Sequence, residues 1–284
     1  MTPEPSTEIS SLIRLLDDRD PFVTDRVSDH LVQLGTEAVP FLEIASRGEN
    51  LTLKTRAQEI LNRIAPRQLA EEFRRLTQSS SGEEINLEEG VFLIMKFGHP
   101  SANPEEVHRH LDQLAQELAP EIQVDSSEAR NLERMVRFLF DEKGFRGNQE
   151  NYSHPDNSYI DTVLQHKTGL PIALSVLCIL IGQRLQLPIV GIGLPYHFIA
   201  KYNSLTNPVL FDPFHQGRLL TPEMCAKMVE GFGVKFEPHF LAPLSHREIL
   251  VRMMQNLSIA YQKEGREEKV EALQEYAAIL LGKK

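Results

Sequence analysis

The stretch from Gly169 to Gln186, GLPIALSVLCILIGQRLQ, offers no polar face along most of its length when wound as a helix. Such a helix has to be surrounded by protein or by lipid. Its longest apolar run, around Ser175 to Ile181, is far short of the roughly 20 residues a membrane span requires. The helix is therefore expected at the centre of a soluble core, with the rest of the fold built round it. Pro171 suits its first position, where a missing N–H costs nothing, and the helix is expected to end near Gln186. Two short β-branched runs follow, Ile189 to Ile192 and His197 to Tyr202, split by Gly193-Leu194-Pro195-Tyr196. A third, Val209 to Phe211, stops at Asp212-Pro213. Their lengths suit a small antiparallel sheet on which the helix packs.

Helical periodicity dominates elsewhere. Near the start, Asp20 to Gly35 can be laid over Asn50 to Ala65: Val23 meets Leu53, Arg26 meets Arg56, Val27 meets Ala57, Leu31 meets Leu61 and Leu34 meets Ile64. The matches fall at helical spacing, with a further helix around Val39 to Leu42, so this part resembles a HEAT repeat. The polar run Gln78 to Gly82 marks a boundary. Helices are expected from Asn86 to Phe97, after Asn103-Pro104, and from about Ser127 to Lys143. The segment FRGNQENYSHPDNSY, residues 145–159, reads as a long irregular loop, the kind that tends to be functional. Tyr159 to Gln165 reads as a short helical turn. Ser245 and Glu248 make a capping box before another helix, broken at Gly265 and resumed from Glu267 to Leu281, a hairpin similar to a tetratricopeptide unit.

Composition narrows the function. Forty acidic against 30 basic side chains give a net charge of -10, which repels a phosphate backbone, so neither nucleic acid nor membrane is an expected partner. The two cysteines, Cys178 and Cys225, form no CxxC pair and no zinc spacing. The opening residues carry no signal-peptide pattern, which makes the expected location cytoplasmic. No cofactor is expected.

The chemistry-bearing residues are His197 and Asp212, fifteen positions apart on what read as adjacent strands. A thiol enzyme of the papain or transglutaminase kind needs a Cys at a helix N-terminus, a His within hydrogen-bond reach, and an Asp or Asn orienting that His. The second and third members are present in the required order. The nucleophile is not: likeness to a transglutaminase implies a Cys at Pro171 or Ile172, and neither residue can serve. Cys178 lies two turns, about 10 Å, further along the helix and reads as a small buried hydrophobe. Ser175 reads as a hydroxyl bonded back to the backbone one turn earlier. His197 and Asp212 can equally be a structural pair, and with His215 and His154 they offer ligands suited to zinc, although no standard metal motif supports one.

Together the strings NYSHPDNSYIDTVLQHKTGLPIALSVLCILIGQRLQLPIVGIGLPYHFIAKY and LFDPFHQGRLLT resemble the bacterial SirB-type family with its transglutaminase-like core. The residues carrying the likeness are Asn157 and Ser158, Gly169 to Pro171, Gly193 with Pro195, His197 and Phe198, and Asp212 to Phe214. It covers roughly residues 85 to 281, and lack of the Cys is usual in that family. The resemblance implies an α+β fold, mostly helical, with a small antiparallel sheet flanked by helical repeats. The expected domains are 1–76 (HEAT-like), 83–240 (transglutaminase-like core with a leading helical bundle) and 241–284 (tetratricopeptide-like hairpin). The expected function is that of a non-catalytic binding or scaffold protein. His197 and Asp212 would be a remnant dyad; Asn157, Ser158, Tyr196, Phe198 and His215 would bind a protein or peptide partner. The alternative is an enzyme of the transglutaminase or cysteine-peptidase class acting through Cys178 or Ser175. A weaker alternative is hydrolysis assisted by a metal at His197.

Overall fold

The computed structural model describes residues 5–78, 84–122, 128–205 and 207–283. The boundary run at 79–82 and the expected helix start at Ser127 lie outside them. The chain forms two compact units, Met1–Glu72 and Phe73–Lys284.

The first unit is helical: α1 (Pro5–Leu15), α2 (Pro21–Leu34), α3 (Val39–Ser46) and α4 (Leu51–Gln78), which continues into the second unit. Asp20 starts α2 by accepting from the N–H of Phe22 at 2.9 Å, with Pro21 next in line. Asn50 starts α4 in the same manner, accepting from Leu53, and its amide donates to Asp17 at 2.8 Å. These are N-caps, each satisfying a donor that the helix itself cannot. Of the superposed positions, Val27, Leu31, Ala57 and Ile64 are buried in the core of this unit, and Val23, Leu34, Leu53 and Leu61 pack round it. Arg56 donates to the carbonyls of Leu16 and Asp18, closing the turn between α1 and α2.

In the second unit, helices α5 (Leu87–Gly98), α6 (Pro104–Leu118) and α7 (Glu128–Val136) come first. Asn86 and Asn103 cap the first two. The last turn of α7 widens to π geometry over Arg137–Glu142, its closing bond running from Lys143 N–H to Phe138 O at 2.9 Å. Strand β1 (Arg146–Gly147) then pairs in parallel with β2 (Thr168–Gly169), which follows helix α8 (Ile160–His166).

The apolar run is helix α9 (Pro171–Arg184), and every residue from Pro171 to Gly182 is buried. Its C-terminal end is pinned by Arg184, which bonds Glu88 on α5 at 2.7 and 2.9 Å and Asp112 on α6 at 2.7 Å. A cation there also complements the helix dipole. Burial alone would raise the Glu88 carboxyl; the Arg184 and His108 bonds outweigh it and hold the pKa below its ordinary value.

The main sheet is antiparallel in simple order: β3 (Ile189–Ile192), β4 (Ile199–Tyr202), β5 (Val209–Asp212) and β6 (Arg218–Leu220). This is the expected α+β class with two differences. Strand β6 was not legible in the sequence, and His197 precedes β4 instead of beginning it. His197 lies in the turn, its N–H bonded to Leu194 O at 3.2 Å. Helix α10 (Pro222–Glu230) covers one part of the sheet, with Cys225 in a small core beside Ile192, Leu194 and Ile199.

Helices α11 (His246–Lys263) and α12 (Glu267–Leu280) form the closing hairpin. The capping box is present in both directions: Ser245 accepts from Glu248 N–H, and the Glu248 carboxylate accepts from Ser245 N–H at 2.8 Å. A buried hydroxyl pair, Tyr159 and Tyr261 at 2.7 Å, ties α11 to the segment before α8. Among the described residues no helix is long and apolar enough to cross a membrane.

Candidate functional site: the cleft at the start of helix α9

Asp212 is the anchor of the site. At the end of β5 it is almost fully buried, and its Oδ1 accepts from the N–H groups of Phe214 and His215 at 3.0 and 3.3 Å, capping the tight turn Pro213–His215. Its Oδ2 accepts from His197 Nε2 and from His215 Nδ1, each at 2.8 Å. Burial by itself would lift this carboxyl; the bonds from His197 and then His215 prevail and hold its pKa below the ordinary carboxylate value. Register explains the encounter with His197. Ala200 faces Phe211, so the next pair brings Asp212 opposite Ile199, two residues from the histidine.

Binding through Nε2 leaves Nδ1 of His197 without a hydrogen-bond partner among the described residues. The ring lines a cleft of about 330 Å³ together with Tyr152, Pro171, Ile172, Tyr196 and Phe198, while helix α11 supplies Arg252, Gln255, Asn256 and Ile259. The first two residues of α9 therefore share one hollow with the histidine. Neither has a nucleophilic atom.

The cysteines are elsewhere. Cys178 is completely buried on α9 and burial pushes its thiol far above the ordinary range. Cys225 is also buried, its thiol raised to about 11 by burial and then by the Asp212 charge. Ser175 donates to Pro171 O at 2.9 Å, the back-bond expected of a hydroxyl at that position.

Loop residues set the cleft rim. Tyr152 packs edge-on against Phe214, whose ring in turn meets the His197 ring edge-on. Tyr196 adopts a left-handed backbone, φ 62°, which few non-glycine residues take. Its exposed ring leans on the exposed Phe232 at 5.1 Å. After the capped turn, Gly217 lies so close to Val136 at the end of α7 and to Phe140 on the π-widened turn that a Cβ there would meet Val136 at 2.4 Å.

The other residues singled out from sequence divide clearly. Tyr196 and Phe198 line the cleft with His197. His215 does not; it borders a separate polar hollow with Arg146, Asn148 and His166. Asn157 and Ser158 are buried outside the cleft. Asn157 organises the loop, donating to Asn151 O at 2.6 Å and Tyr152 O at 3.3 Å and accepting from Asn148 at 2.8 Å. Ser158 Oγ is buried and has no hydrogen-bond partner among the described residues. His154 accepts from Asp156 N–H at its own turn. Sequence reasoning missed Tyr152 and the whole α11 contribution, because a polar residue on a helix face carries no mark of which neighbour it will meet.

His197, Asp212 and His215 bring ligand-type atoms within 4.8 Å of one another. Each Asp212 oxygen already receives two N–H donors, so an ion would have to displace histidine protons that the carboxylate holds.

The chain is similar to several known proteins. A family model described as the transglutaminase-like superfamily matches residues 105–255. A UPF0162 protein of Xylella fastidiosa is 29% identical over 190 residues, 65% of this chain and 68% of its own length. A UPF0162 protein of Vibrio cholerae is 28% identical over 187 residues, 65% of this chain and 69% of its own length. Human F-box only protein 21 is 26% identical over 152 residues, 51% of this chain and 24% of that much longer protein. No solved structure matches the chain. The matched region contains α9, the His197 turn, Asp212 and Arg252, and on that match the chain belongs to the transglutaminase-like superfamily.

Proposed function

We propose that this protein is a non-catalytic intracellular binding or scaffold protein of the SirB type, in which a former thiol-enzyme cleft recognises a polypeptide segment. The observation that carries this reading is the pairing of Pro171 and Ile172 with His197 across one cleft. A transglutaminase-type reaction needs a thiolate at that helix start, because the helix dipole lowers the thiol pKa there and the histidine accepts its proton. Both substitutes are hydrocarbon. Cys178 cannot take over, being buried and two turns away. The exposed rings of Tyr152 and Tyr196 and the side chain of Ile259 at the rim supply the kind of apolar contact that holds a peptide. In this reading residues 1–76 are a HEAT-like pair, 83–240 the transglutaminase-like core and 241–284 a tetratricopeptide-like hairpin, with the helical parts serving assembly.

The test is a screen of the purified protein for thiol-dependent hydrolysis and amide transfer on peptide substrates. No turnover is expected. Turnover that persists through purification and disappears in His197→Ala would sink the reading and restore an enzyme.

A further inference from the structure

Among the described residues Arg252 is the one Arg or Lys lining the cleft, and no carboxylate pairs with it. Its Nη2 donates to two carbonyls, Leu194 O at 2.6 Å and His197 O at 3.3 Å, which fixes the guanidinium beneath the turn that carries the histidine. A guanidinium has five N–H donors, and Nε and Nη1 make no hydrogen bond to the described protein. Desolvation lowers its pKa from the ordinary value, and nearby Tyr152 acts in the opposite direction. A partly buried, fixed and unneutralised guanidinium is costly in a folded protein, and in a chain of net charge -10 carboxylates were available to neutralise it. Arg184, the comparable arginine on α9, has Glu88 and Asp112. Arg252 has no such carboxylate among the described residues and lines the cleft.

We propose that the cleft binds a carboxylate group of a polypeptide, held by the Nε and Nη1 donors of Arg252 beside the His197 ring. This rests on the reading of the cleft as a peptide-binding site and adds the chemistry of what is bound. A carboxylate matches the fork of a guanidinium, and a charge-assisted pair in a partly desolvated site is stronger than a neutral one. The apolar rim at Tyr152, Tyr196 and Ile259 then takes the side chains adjacent to the carboxylate. The group can be a chain's C-terminal carboxylate or the side chain of Asp or Glu.

Three probes distinguish these sources: acetyl-trialanine with a free carboxylate, its C-terminal amide, and acetyl-Ala-Glu-Ala-amide. Each is titrated into the full-length protein, with the side-chain NMR signals of Arg252 and His197 as the readout. The expected result is saturable shifts with a carboxylate probe, at least about tenfold tighter than with the neutral amide. Arg252→Gln should remove the preference and Arg252→Lys should retain part of it, with the proton shared by His197 and Asp212 reporting that the turn is intact. Tighter binding of the free-carboxylate probe identifies a chain terminus; tighter binding of the Glu probe identifies an acidic side chain. Equal binding of all three probes overturns the carboxylate assignment while leaving a peptide cleft. Absence of any shift overturns the assignment too. The non-catalytic reading is judged separately, by the turnover screen.

Discussion

His197 meets Asp212 through Nε2, at 2.8 Å, and not through Nδ1. The other ring nitrogen, Nδ1, has no hydrogen-bond partner among the described residues, and the ring lines the same cleft as Pro171 and Ile172 at the start of α9.

The first prediction concerns what the buried carboxylate does for the fold. Asp212→Asn preserves shape but turns an acceptor toward N–H groups as a donor, leaving at least one of them unsatisfied. A loss of about 2–4 kcal/mol in urea unfolding is expected. Because the folded pKa of Asp212 lies below its ordinary value, its contribution is fully present above the unfolded pKa and is lost as pH falls through the folded one. The stability gap between wild type and variant should therefore be flat above about pH 5 and narrow below about pH 4. A gap that is unchanged at about pH 3 would contradict the assignment.

Neither native cysteine should behave as a reactive thiol. Both are buried, and burial raises both pKa values, Cys225 to about 11. Iodoacetamide at about pH 8 should leave the folded protein unlabelled and modify both cysteines after denaturation. Rapid labelling of Cys178 in the native state would reopen the thiol enzyme.

Placing a thiol where the family chemistry calls for it gives a sharper test. Ile172→Cys puts sulfur on the first turn of α9 beside His197, against an inert cysteine background. Because Ile172 is buried, the thiolate is followed by its ultraviolet absorbance and not by alkylation; it should titrate below the free-thiol value of about 8.5, and His197→Ala in the same variant should move that titration upward. A normal titration insensitive to His197 would show that the cleft no longer supports an ion pair.

Gly147 should not tolerate a methyl group. A Cβ there would fall 2.5 Å from the Phe214 ring, whose faces and edges contact Tyr152, His197 and His215. Gly147→Ala is expected to cost about 1–3 kcal/mol and to shift the His197 ring signals. An unchanged His197 spectrum would show that Phe214 does not position it.

Much of the site could be read in advance because it rests on local signals. Pro171 begins its helix and Ser175 bonds back to it, since both outcomes depend on residues within one turn. The meeting of His197 and Asp212 followed from two short strands joined by one connection. Strand β6 was hidden because RLL has no alternation to show. The π turn at Arg137 leaves no trace in periodicity. Asn157 looked like a binding residue from its motif, whereas its amide is consumed by the loop backbone. Arg252 escaped notice because its importance depends on carbonyls 55 and 58 residues earlier in the chain.

Those two bonds from Arg252 also set a schedule. The wall of the cleft formed by α11 is made of residues translated after the sheet, α9 and the dyad. Chains fold progressively from the N-terminus as they are synthesised, so the His197 turn emerges from the ribosome before the side chain that braces it. The cleft can be completed only once α11 has been released and has docked. On the proposed reading, recognition by the cleft follows the docking of α11 and cannot precede it.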